Sequence, residues 1–331
     1  MAVAVSRASE VDVRRATAAA LDALRGGAPA GADRAARALD TILAEWRSGD
    51  GAHAGRLTAG GFPVEIVCST RDAAVRYTCD VARPAVPPAS RLQAAHVLLG
   101  RLNVHCVFPL SRLQEPGSPL RWGAWLGGRH AAASDAFKLY AEAPAVLSAP
   151  AVGELRDALG RYGGLLDSHA LSLRLVGFDL ASQRLECYFR ARSLRWDQLC
   201  GLMNFAGVAH REDELRVLLD AAAGTSVRER LPGTRHGFSL SLARGGTVDA
   251  FSLFTFARLL FGSTAMIRRG LLACADRHGW NLEGYAAVSA PLAARHEADV
   301  HHGLVSWLVP HAGSLGLSVG LRPPLLGAAT R

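Results

Sequence analysis

The chain carries a single lysine, Lys138, among 37 Lys+Arg residues; it lies in SDAFKLYAEAP, residues 134–144. Codon bias toward arginine accounts for the others and leaves this one unexplained. A guanidinium is a fixed planar fork, whereas an ammonium is a compact point charge with rotatable donors, so the two are not interchangeable in a tight site. Polar and cationic residues recur at every second position here and elsewhere. Lys138, Tyr140 and Glu142 alternate with Leu139 and Ala141; Arg184, Glu186, Tyr188, Arg190 and Arg192 alternate with Leu185, Cys187 and Phe189; Arg76, Thr78 and Asp80 alternate with Val75, Tyr77 and Cys79. The chemistry of such a surface is anion binding, and the formal charge of +8 points the same way. Nucleic acid is one reading, but the arginines form no basic runs and no binding motif is present. A small anionic substrate such as a diphosphate fits equally well, and a basic surface without specific meaning is the bland alternative.

Period-2 alternation needs strands to hold it. GRLTAGGFPVEIVCS and AVRYTCDVA flank the turn TRDA and read as a hairpin. Four more hairpins follow: LRWGAWLGGRH with FKLYAEAP, HALSLRLVGFD with RLECYFRARS, HGFSLSLAR with TVDAFSLFTFA, and HGLVSWLVP with SLGLSVGLRPP. Helical periodicity covers 10–26 and 32–47, then 89–101, 150–163, 195–206, 211–223, 257–277 and 281–294, between the hairpins. Hairpins recurring every roughly 45–65 residues make a structural repeat. Ten antiparallel strands are wide for an open sheet, and closure removes the edges. The expected fold is α+β: a closed ten-stranded antiparallel barrel ringed by helices, in five α-β-β-α repeats. Residues 1–331 read as one domain, with helices over 1–55 and barrel repeats over 56–324. Helices outside require apolar outward residues, so the polar face points into a lumen too wide for side chains alone to fill.

Other chemistries find little support. GxGxxG and P-loop patterns are absent, and GGLLDSHALSL is not a G-x-S-x-G elbow. RHEADVHH, with His296, His301 and His302, and the later His311 match no zinc spacing and read as a loop before the last hairpin. The six cysteines form no CxxC pair and read as reduced. There is no signal-peptide pattern and no apolar run long enough for a membrane helix, so a cytoplasmic protein contacting neither membrane nor nucleic acid is expected.

GFPVEIVCSTRDAAVRYTCDV resembles the first hairpin of the aromatic prenyltransferases of the dimethylallyltryptophan synthase type. KLY resembles the Lys-x-Tyr of that family's second repeat, and RLECYFR the Arg-x-Lys-x-Tyr of its third, with Glu186 at the family's lysine. The resemblance covers Gly61 to Arg192 by motif and continues to Pro324 by repeat pattern. It implies the prenyltransferase barrel, in which an allylic diphosphate ionises and an aromatic acceptor captures the cation without metal or other cofactor.

By that resemblance Arg76, Lys138 and Arg184 bind the diphosphate, stabilising the charge that develops on it; Arg174 and Arg190 join them on strand parity. Tyr140 and Tyr188 occupy the positions that shield the cation. Glu65, in PVE, is the base that takes the acceptor's proton, or is salt-bridged to Arg76. Trp122 and Trp125, on opposite faces of one strand, and Trp307 are candidates for the acceptor pocket, with Glu186 assigned there or weakening the diphosphate site. The fourth and fifth repeats lack the family's tyrosines, which implies either that other aromatics supply the shielding or that the pocket is wider. The expected partners are a prenyl diphosphate and an aromatic small-molecule or peptide acceptor; a barrel that only binds an anionic or aromatic ligand is the alternative.

Overall fold

The computed structural model describes residues 10–47, 55–58, 60–191, 193–224, 229, 231, 235–295 and 301–324. Ten strands form one closed antiparallel barrel. They are β1 (Val64–Ser69), β2 (Val75–Asp80), β3 (Ala124–His130), β4 (Asp135–Glu142), β5 (Leu171–Asp179), β6 (Arg184–Ala191), β7 (His236–Leu242), β8 (Val248–Phe256), β9 (His302–Pro310) and β10 (Gly316–Leu321). Each strand pairs with its sequence neighbours, and β10 returns to β1 with Ile66 opposite Leu321 and Ser69 opposite Ser318. Every expected hairpin is present, and closure leaves no edge exposed.

The helices follow the expected intervals: α1 (Glu10–Arg25), α2 (Pro29–Ile42), α3 (Arg91–Arg101), α4 (Ala149–Leu159), α5 (Trp196–Phe205), α6 (Glu212–Ala223), α7 (Ala257–Phe261), α8 (Thr264–Arg277) and α9 (Glu283–Val288). The periodic stretch 257–277 is two helices, because Gly262 at φ 86° interrupts it. α2 lies close on the barrel: Gly31, Ala32, Ala35 and Ala38 are buried on its inner face, and a Cβ at Gly31 would stand 2.6 Å from the His130 carbonyl oxygen.

Strand alternation separates the two sides of the wall. Val64, Ile66, Tyr77, Cys79, Leu126, Leu139, Val176, Cys187, Leu240 and Val305 point outward into the layer between barrel and helices, each at most 2% exposed. This layer is the hydrophobic core, and truncating one such leucine to alanine costs about 2–5 kcal/mol. The lumen is thereby released from packing duty.

Three expected placements differ in the structure. Asp80 leaves the polar face and forms a fully buried ion pair with Arg91 at 3.0 Å, tying β2 to the start of α3. Trp307 on β9 is wholly buried and faces the helix layer, so it does not line the lumen. The final residues of RHEADVHH are not loop residues. His302 opens β9, with Nε2 2.9 Å from the Tyr285 hydroxyl, and His301 is buried beside Arg295 and Arg322. Arg192 and His296 lie outside the described residues. All six cysteines are free thiols, and among the described residues no helix is long and apolar enough to cross a membrane.

Candidate active site

The lumen holds two cavities that meet at a belt of side chains. One, of about 780 Å³, opens at the hairpin turns; the other, of about 570 Å³, opens where strands connect to helices. Tyr140, Tyr188, Phe254, Thr78, Ser306 and Ser318 line both.

The hairpin-end cavity contains Arg76, Lys138 and Arg184. Lys138 enters from mid-β4, paired with Asp179 on β5, and its stem passes over Gly177, where a Cβ would stand 2.5 Å from the lysine Cε, so glycine leaves the stem its space. The ammonium donates to the Glu186 carboxylate and, at 3.1 Å, to the Tyr188 hydroxyl. Ser239 on β7 donates to the other Glu186 oxygen at 2.5 Å. Burial alone would raise the Glu186 pKa and lower that of Lys138. Their mutual attraction outweighs it, holding the carboxyl below and the ammonium above their ordinary values. Glu186 is thus paired with the lysine and lines the hairpin-end cavity, not the one that holds Trp122 and Trp125.

The other two cations are also paired. Arg76 reaches Asp72 at 2.6 Å, an acid shared with Arg129 at 2.9 Å, and Arg184 reaches Asp249 at 3.2 Å. Arg76 keeps its buried Nε without a hydrogen-bond partner, an unused donor of the kind a ligand satisfies.

The helix-end cavity contains Glu65, Trp122, Trp125, Arg174 and Arg190. Glu65 lies opposite Thr78, not Arg76, and no salt bridge joins Glu65 and Arg76. Its carboxyl fits where Gly303 and Gly320 carry no side chain; a Cβ there would stand 2.0 and 2.4 Å from it. With burial and no compensating charge, its pKa is pushed up to about 7.

Trp122 and Trp125 do not face opposite ways. Trp122 precedes β3, and Gly123 at φ 76° breaks the alternation between them. The indoles stack with ring centres 3.8 Å apart and planes 8° from parallel. The turn is held by Glu142, whose carboxylate accepts from the N–H groups of Arg121, Trp122 and Gly123 at 2.9, 2.7 and 2.8 Å. Glu142 is buried by that role and is withdrawn from the lysine's face.

Arg174 reaches the lumen through a β-bulge: the register shifts between Leu173 and Leu175, so Arg174 and Leu175 both line the cavity. Together with Arg121 and Arg235, which the sequence reading missed, Arg174 and Arg190 ring this mouth. Among the described residues these four have no carboxylate partner.

At the belt, the Tyr140 and Tyr188 rings meet edge-on at 6.0 Å, and Tyr188 lies 6.0 Å from Phe254. Phe254 supplies an aromatic wall in the fourth repeat, where the family's tyrosine is absent. Its signal was the alternation of β8, which puts Ala250, Ser252, Phe254 and Phe256 on the lumen side.

Nearly the whole chain matches solved structures. The crystal structure of 5-dimethylallyltryptophan synthase from Streptomyces coelicolor matches with a TM-score of 0.76 at 15% identity, covering 98% of this chain and 100% of that one. The fold is the prenyltransferase barrel. The 6-dimethylallyltryptophan synthase from Micromonospora olivasterospora, in complex with DMASPP and Trp, matches at 0.73 with 18% identity over 94% of this chain and 99% of that one. The PriB prenyltransferase ternary complex with L-tryptophan and dimethylallyl thiolodiphosphate matches at 0.72 with 18% identity, over 96% and 99%. No protein-family model and no curated sequence matches the chain.

Proposed function

We propose that this prenyltransferase-barrel protein transfers a prenyl group from a prenyl diphosphate to an electron-rich aromatic acceptor. The observation that carries this reading is the belt of Tyr140, Tyr188 and Phe254 between a cavity of convergent cations and a cavity holding an uncompensated carboxylate. That order is the order of the reaction. Arg76, Lys138 and Arg184 hold the diphosphate and take up the charge that grows on it as the allylic C–O bond breaks. The ring faces of the belt shelter the cation, each by roughly 0.5–2 kcal/mol, and exclude water. The acceptor ring lies against the Trp122–Trp125 stack and attacks from the helix-end side. Glu65 takes the ring proton; a base poised near 7 is matched to neutral pH.

The unpaired arginines of the helix-end mouth support an acceptor bearing an anionic group. The tryptophan bound in the structural neighbours carries one. The donor we assign is dimethylallyl diphosphate, the acceptor an indole or a peptide side chain, and the cationic side chains serve in place of a metal. The protein is read as one domain, since α2 packs on β3 and the barrel closes through β1 and β10. Six free thiols suit a cytoplasmic location.

The test is incubation with dimethylallyl diphosphate and a panel of indoles, phenols and peptides, with and without EDTA, followed by mass spectrometry. A gain of one prenyl unit is expected in both. The charge pairing of Lys138 with Glu186 favours a second reading, a binding barrel without turnover. Tight donor binding with no product from any acceptor would establish that reading and overturn the first.

A further inference from the structure

Glu186 lies where an incoming diphosphate must go. It is largely buried in the hairpin-end cavity, bonded to the ammonium of Lys138 and the hydroxyl of Ser239. The groups around it come from every neighbouring strand. Lys138 and Tyr140 stand on β4, Asp179 on β5, Arg184 and Tyr188 on β6, Ser239 and Ser241 on β7, Asp249 on β8 and Arg76 on β2. Five cations line this cavity, Arg71, Arg76, Arg129, Lys138 and Arg184, against four carboxylates, Asp72, Asp179, Glu186 and Asp249. A prenyl diphosphate brings about three negative charges, so the cavity as it stands is far from neutralising it. The acids differ in their means of adjusting. Asp72 and Asp249 are 31% and 42% exposed, and water screens them; Glu186 is 17% exposed and loses its counter-ion as soon as Lys138 turns to a phosphate oxygen.

We propose that Glu186 takes up a proton when the prenyl diphosphate binds and passes it to the departing diphosphate. The proposal rests on the donor site of the preceding section. On binding, Lys138 Nζ moves its hydrogen bond from Glu186 to a phosphate oxygen. The buried carboxylate, now beside an anion, binds one proton from solvent, becomes neutral and donates its O–H to the phosphate. When the allylic C–O bond breaks, its electron pair stays on the diphosphate oxygen, and the Glu186 proton passes to the diphosphate. The allyl cation bonds to the acceptor carbon, whose proton goes to Glu65 and then to solvent. Hydrogen diphosphate leaves, and Glu186 pairs again with Lys138. One proton enters at donor binding and one leaves with the diphosphate. A repelling carboxylate thus becomes a general acid for the leaving group.

The probe is dimethylallyl thiolodiphosphate, titrated calorimetrically into the full chain at pH 8 in buffers of different ionisation enthalpy. The wild type is expected to take up close to one proton per ligand, with Kd rising about tenfold per pH unit in that range. Glu186→Gln, checked for folding by circular dichroism, is expected to show uptake near zero and tighter binding; the ligand's own ionisation is common to both proteins. An infrared difference spectrum of the wild type, which needs no variant, is expected to gain a protonated-carboxyl band on binding. Ligand binding without proton uptake, or equal uptake in Glu186→Gln, overturns this proposal and leaves the donor site standing. No binding by either protein overturns both.

Discussion

The ammonium of Lys138 lies 5.3 Å from the centre of the Tyr140 ring, two residues along the same strand, and 5.4 Å from that of Tyr188. Two ring faces already solvate a cation in the free protein. The lysine is held between the arginines of the hairpin-end cavity and the aromatic belt, which on the proposed function is the boundary where a diphosphate and an allyl cation separate.

Removing that charge tests the donor site. Lys138→Ala is expected to lower turnover by at least about 100-fold, comparable to losing a principal transition-state donor. Lys138→Arg is expected to fail as well, by at least about tenfold, because the stem passes over Gly177 and a planar fork overfills the space between Glu186 and Tyr188. Steady-state kinetics on folded variants checks both. Undiminished activity in Lys138→Arg would make the lone lysine an accident of codon usage.

The belt is tested by where the cation goes. Tyr140→Ala, Tyr188→Ala and Phe254→Ala open the boundary to water, so the ratio of prenyl alcohol to prenylated acceptor should rise in each. Tyr140→Phe keeps the ring face and should keep the ratio near that of the wild type. Chromatographic product analysis measures it; an unchanged ratio in all three alanine variants would remove the belt from the mechanism.

Glu65 should be visible in two pH profiles. As the base it must be ionised, so kcat should rise with pH through about 7, and Glu65→Gln should lose roughly 100-fold or more along with that limb. Its folded pKa stands above the ordinary value of 4.5, so the folded state binds the proton more tightly. Ionisation therefore opposes folding, and stability is lost as pH rises from about 4.5 through about 7. The Tm of Glu65→Gln should match the wild type at pH 4, below that window, and exceed it at pH 8. Parallel Tm curves would mean that the carboxyl titrates normally.

Glu142 positions the tryptophan stack from behind. Glu142→Gln leaves at least one of three backbone N–H groups without its charged acceptor, at a cost of about 1–3 kcal/mol. The KM for the acceptor should rise more than the KM for the donor, since Gly123 and Trp122 move and the hairpin end does not. Equal changes in both would assign Glu142 to general stability.

Much of this was legible in the chain. Period-2 alternation placed Lys138, Tyr140, Arg184, Tyr188 and Arg76 on one face, and all five line the lumen. For these five the backbone is an uninterrupted strand, and a pleat leaves each side chain no choice of face; the same alternation puts Trp307, next to the lumen-lining Ser306, on the outer face. Most failures of the reading lie at strand ends and bulges. Gly123 turned Trp122 onto the side of Trp125, the register shift brought Arg174 and Leu175 into the lumen together, and Asp80 and Glu142 were drawn away by partners beyond the strand. Phe254 was visible by the same alternation; shielding by other aromatics was one of the two readings, and this residue was not singled out for it.

Sequence alone determined the barrel, since five hairpins with one apolar face each have to close around a polar interior and be covered outside. Which charges meet inside was decided by the tertiary structure alone. Glu186 reaches Lys138 across 48 residues of chain, and Arg184 reaches Asp249 across 65. No local pattern relates residues so far apart. The closure and register of the barrel set those pairs, and with them the split of the lumen into a paired, nearly neutral end and an end ringed by free arginines.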